Sequence, residues 1–185
     1  MTTDMIGIIK KAALEAGIWE LGEVDISRLT YHGEVREICR GNLCRGYGAT
    51  WACPPAVGTL TECRARVERY SRMVLFSAKY QLEDSFDMEG MQNGWREFKN
   101  TVDVLDGLLR KRLSCDYLLL SNEGCKRCEK CTYPDTPCRF PDKLFHSLEG
   151  YGFIVSELAK MAGIRYINGE NTVTYFGAVA FQPRN

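Results

Sequence analysis

Nine cysteines constrain this chain more than any other feature, because most of them fall in two groups rather than being spread along its 185 residues. Cys39, Cys44 and Cys53 lie in "CRGNLCRGYGATWACPP", and Cys125, Cys128, Cys131 and Cys138 lie in "CKRCEKCTYPDTPC". Cys63 and Cys115 stand apart. The opening "MTTDMIGIIKKAALEAG" lacks the basic-then-apolar order of a signal peptide. An odd, clustered set of cysteines without an export signal argues against a disulfide framework. It points to thiolate ligands in a reducing, cytoplasmic setting.

The later group sets Cys125, Cys128 and Cys131 two residues apart, a spacing that wraps a tight loop around one face of an iron–sulfur cluster while a fourth thiolate arrives from elsewhere. Tetrahedral zinc usually takes separated pairs, so a third cysteine in the run would be surplus. Iron–sulfur is therefore the leading cofactor and zinc the alternative. Lys126, Arg127, Lys130 and Arg139 either offset the charge of such a group or form a solvated basic loop.

The earlier group supplies three thiols, with Gly41, Gly46 and Gly48 allowing close backbone approach. Three cysteines leave one coordination position open, and an open position separates reactive metal centres from closed structural ones. The missing ligand could be Cys63, Cys115 or Cys138. However, Cys63 falls on the apolar face of a helix and Cys115 opens a buried strand, so both read as core residues. The Cys53-Pro54 pair leaves ligation crossed between the two segments possible, because in two-cluster ferredoxins the cysteine before proline serves the other cluster.

Apolar spacing predicts a helix over residues 4–16, a strand over 18–24, a helix opened by the Thr59/Glu62 capping box, and a strand over 72–80. A long helix ending near Leu113 and a strand over 116–121 follow. The acidic "LEDSFDMEG" reads as an exposed loop, Leu144 to Ala162 as a helix stopped by Gly163, and Asn168-Gly169 as the turn of a hairpin. The fold class expected is α/β: a mixed sheet flanked by helices, with two cysteine-rich metal-binding connections at its edge, in one domain over residues 1–185.

At 45% hydrophobic and 26% charged residues the chain has the make-up of a globular protein with its own core. Twenty-four basic residues balance twenty-four acidic ones without a basic stripe, so no nucleic-acid partner is expected; no apolar run is long enough for a membrane span. Walker, Gly-x-Gly-x-x-Gly and Gly-x-Ser-x-Gly motifs are absent. His32 and His146 read as surface or structural residues, Glu83, Asp84, Asp87 and Glu89 as solvating charges. Tyr47 and Trp51 read either as shields between ligand cysteines or as ordinary packing.

Cys39-x4-Cys44-x2-Tyr47-Gly48, Trp51-x-Cys53-Pro54-Pro55, the later Cys-x2-Cys-x2-Cys-x6-Cys and "CRFP" followed by "SLEGYGF" together resemble a family of cysteine-rich predicted metal-binding proteins of unknown function, found mainly in anaerobic bacteria and archaea. The resemblance runs from about Val35 to Phe153. It implies cysteine-ligated metal, iron–sulfur first, carried by Cys39, Cys44, Cys53, Cys125, Cys128, Cys131 and Cys138, and it brings no reaction with it. The expectation is an iron–sulfur protein in electron transfer or a redox subunit of an anaerobic pathway, with a redox protein or a small molecule as partner. An enzyme with an open-site four-iron cluster, for sulfur transfer or reductive chemistry, is the first alternative. A zinc-stabilised interaction module is the second.

Overall fold

The computed structural model describes residues 4–122, 124, 125 and 127–182. Asp4 opens helix α1 (Met5–Glu15) by accepting the Gly7 amide on Oδ1 at 3.0 Å. Strand β1 (Glu20–Val24) and helix α2 (Gly33–Arg40) follow. Helix α3 (Leu60–Val67) carries the expected capping box: Thr59 Oγ1 accepts from the Glu62 amide, and Glu62 accepts from the Thr59 amide. Next come strand β2 (Arg72–Gln81), helix α4 (Met88–Arg112), strands β3 (Tyr117–Ser121) and β4 (His146–Ser147), helix α5 (Val155–Ala162) and strand β5 (Thr172–Phe181).

The five strands form one mixed sheet in the order β1-β2-β5-β3-β4, antiparallel except for the β3–β4 pair. Alternation along β2 sends Val74, Phe76 and Ala78 to one face, where α1 and α4 bury Ile9, Ala13, Phe98, Val102 and Leu109 against them. Met73 and Leu75 face the other way, where Val67 of α3 and Leu158 and Ala159 of α5 cover them. Both faces are therefore closed by helices, as the α/β pattern predicts.

Three elements differ from the sequence expectation. The apolar spacing from Leu144 to Ala162 is not one helix: β4 and a single 3-10 turn (Glu149–Tyr151) precede α5, and Gly152 at φ 78° reverses the chain between them. Leu148 and Tyr151 of that turn and Leu158 of the helix fill the same core, which is why their spacing looks continuous. Asn168-Gly169 does not join a hairpin, since among the described residues only Thr172–Phe181 is strand there. The Arg165 amide instead donates to Glu20 Oε2 at 3.0 Å, and β5 pairs with β2 and β3. The acidic segment runs into α4, where Asp87 caps the helix by accepting from the Gly90 amide at 2.7 Å.

Among the described residues no helix is long and apolar enough to cross a membrane. The cysteine-bearing connection over residues 41–59 reaches the β4 edge, and the later one leaves from β3 beside it. There the Ser147 amide donates to Ala52 O at 3.2 Å and the Leu148 amide to Ser121 O at 2.9 Å.

Candidate metal centre

Cys39 sits in the last turn of α2 rather than in a connection. The chain then folds back through Asn42 and Arg45, both in the left-handed region, and the Tyr47 amide donates to Asn42 Oδ1 at 3.0 Å. This short, strongly curved path is typical of Asx-turn chemistry. It brings Cys39, Cys44 and Cys53 to one cavity of about 240 Å³, with Ser147 and Glu149 on its wall and an apolar rim that includes Val35, Ile38 and Leu43. Gly46 is the point of closest approach. A Cβ there would lie 2.9 Å from Cys53 Sγ and 3.6 Å from Cys44 Sγ, so the backbone passes directly beside both sulfurs.

Electrostatics at this cavity favour the protonated form of Cys39 and Cys53. Burial pushes the Cys39 thiol up to about 11, with the Glu149 carboxylate adding to the effect. Burial raises Cys53 as well, opposed by the Gly124 amide, which donates to its sulfur at 3.3 Å. A metal cation replaces such protons and stabilises the thiolates, so this donor set fits a metal better than it fits a reactive free thiol.

The later group is more enclosed. Cys125, Cys128, Cys131 and Cys138, all partly buried, line one small cavity of about 20 Å³ together with Trp51, Arg127, Arg139 and Phe140. Cys138 thus shares its cavity with the three cysteines before it, while Cys53 stays with Cys39 and Cys44. Trp51 lies between cysteines of the early segment but lines the late cavity, packing edge-on to Tyr133 at 5.0 Å and donating from Nε1 to Thr136 O at 3.1 Å. Tyr47 lines the early one.

Of the basic residues, Arg127 is paired with Asp103 and donates to Lys143 O at 2.8 Å, and Arg139 donates to Lys130 O at 2.9 Å. Their first role is therefore to brace the loop. Lys126 lies outside the described residues. A groove bordered by Cys44, Met88, Trp95 and Cys125 runs between the two groups.

Cys63 and Cys115 are packed in the cores on opposite faces of the sheet and line neither cavity. Glu149, Gly124 and Arg36, which the sequence reading did not single out, bear on the early site. Glu149 belongs to the "SLEGYGF" segment, so its motif was visible although its role was not. No three His, Cys, Asp or Glu side chains among the described residues are spaced to hold a single metal ion.

Fold and thiols together define a cysteine-rich α/β protein with two thiol-lined cavities. The chain belongs to the family described as "Predicted metal-binding protein (DUF2284)", whose model matches residues 22–181. No curated protein and no solved structure matches it.

Proposed function

We propose that this protein binds iron–sulfur clusters through Cys39, Cys44 and Cys53 and through Cys125, Cys128, Cys131 and Cys138, and that it serves in electron transfer or as a redox subunit. The observation that carries the reading is the sorting of seven cysteines into two thiol-lined cavities, one of four thiols and one of three. The Cys125-x2-Cys128-x2-Cys131 spacing, with Cys138 in the same cavity, supports a multi-atom cluster over a single zinc. A bound cluster supplies one-electron transfer, and the chain contributes thiolates, amide donors to sulfur and burial. In this reading the protein works in the cytoplasm as a single domain. Its partner is a redox protein or a small molecule, with no nucleic acid and no membrane.

One observation favours a second reading, an enzyme whose reactive site is the early group. The late cavity has about 20 Å³ of free space, whereas the early one has about 240 Å³ bounded by three thiols and an apolar rim. That is room for a small ligand beside an open coordination position.

Anaerobically purified protein tests both readings. Iron, acid-labile sulfide and a broad absorbance near ~400 nm are expected. Colourless protein carrying zinc and no sulfide would overturn them and leave the zinc-stabilised interaction module.

A further inference from the structure

Beside its three thiols the early cavity presents one carboxyl group. Glu149 lines it with Cys39, Cys44 and Cys53, and its Oε2 is shielded from solvent. Three ties hold the backbone on either side of Glu149 against the segments that carry the thiols. Arg36, one turn before Cys39 on α2, donates to Gly150 O at 2.5 Å and to Gly58 O at 2.6 Å. The Ser147 amide is bonded to Ala52 O, next to Cys53. The Gly150 amide donates to Ser147 Oγ at 3.0 Å, and a Cβ at residue 150 would come within 2.7 Å of that oxygen. Cys39, Cys53 and Glu149 thus share one hydrogen-bonded frame.

We propose that Glu149 is the fourth, oxygen ligand of the metal centre at the three-cysteine site, closing the position that the cysteines leave open. The inference rests on the reading that an iron–sulfur cluster occupies this site. Carboxylate oxygen binds iron, and in a set of softer thiolates it is the ligand most readily exchanged. A carboxylate bound there would leave an exchangeable position at the cavity whose rim carries Ile38 and Leu43, which are 69% and 92% exposed. A thiolate at the same position would close it for good.

Iron retention after treatment with a chelator tests this, measured on anaerobically purified full-length chains whose folding is checked by circular dichroism. Cys39→Ser must first lower the iron content; if it does not, the cluster reading of this site fails. Given that loss, Glu149→Ala and Glu149→Gln should each surrender about one iron per protein that the parent retains, and Glu149→Cys should retain it. Glu149→Gln preserves shape and bulk, so it remains informative if Glu149→Ala folds poorly. Equal retention by parent and Glu149→Gln would overturn the ligand role while leaving the cluster reading intact.

Discussion

The Gly124 amide donates to Cys53 Sγ at 3.3 Å across 71 residues of sequence, joining the two cysteine-bearing segments at one sulfur. Gly124 adopts φ 71°, a backbone state natural to glycine, and the very next residue is Cys125 of the late group. An early thiol is therefore positioned by the backbone immediately before the late group. The two groups are neighbours in structure while each keeps its own cavity.

Separate cavities predict separate losses. Cys53→Ser should lower iron by the complement of the early group and Cys128→Ser by that of the late group, with the double variant losing close to the sum. Iron and sulfide counts on the three proteins check this. If either single variant abolished all iron, the ligands would be crossed between segments.

Cys63 should behave differently. Its side chain is fully buried in the α3 core, with Sγ 3.5 Å from Val57 O. Cys63→Ser should leave the iron content at the parent value and lower stability by about 1–2 kcal/mol, the effect of placing a hydroxyl in a buried site whose carbonyl acceptors, Val57 O and Gly150 O, lie at 3.5 and 3.9 Å from the present sulfur. Urea midpoints beside iron counts make the comparison.

How much of this was legible beforehand follows from what each signal measures. The Thr59/Glu62 box and the stripe of Phe98, Val102, Leu105 and Leu109 are local patterns, and the helices they predicted are present. The grouping of the thiols was also local, since loop spacing alone brings Cys125, Cys128 and Cys131 together. The Leu144–Ala162 region misled because periodicity reports burial and not hydrogen bonding. Leu148 and Leu158 share a core but sit on either side of the reversal at Gly152. Glu149 and Gly124 were invisible as site residues because their positions depend on the β4 edge, which is fixed by pairing with β3 and by the bond to Ala52. No short window of sequence contains those contacts.

His146, isolated in sequence, is a structural residue with a pH signature. Its Nδ1 lies 3.1 Å from the Tyr151 hydroxyl, which also accepts from Arg66 at 2.8 Å. Burial first, and the Arg66 charge second, push its imidazole down from 6.5 to about 4. The folded state thus keeps the ring neutral where the unfolded chain protonates it. This contribution to stability is present in full above 6.5 and is lost as pH falls toward about 4. Unfolding free energy should drop by about 2 kcal/mol between about pH 7 and about pH 5 from this residue. His146→Phe should flatten that slope relative to the parent, as followed by urea titration at the two pH values. An unchanged slope would assign the pH dependence to other groups.

Gly46 and Gly48 provide a last contrast, because each resists a side chain for a different reason. At Gly46 the obstacle is the thiols: an added Cβ would sit 2.9 Å from Cys53 Sγ and 3.6 Å from Cys44 Sγ. At Gly48 a Cβ meets nothing within 4 Å, and the obstacle is the backbone itself, at φ 62°. Gly46→Ala should therefore displace the early sulfurs and lower iron bound there, with the late group still loaded. Gly48→Ala should keep its iron and lose about 1–2 kcal/mol of stability to left-handed strain. Iron counts and urea midpoints on the pair separate crowding of the site from strain in the loop. Full iron in Gly46→Ala would mean that the space beside Cys44 and Cys53 is not needed for metal binding.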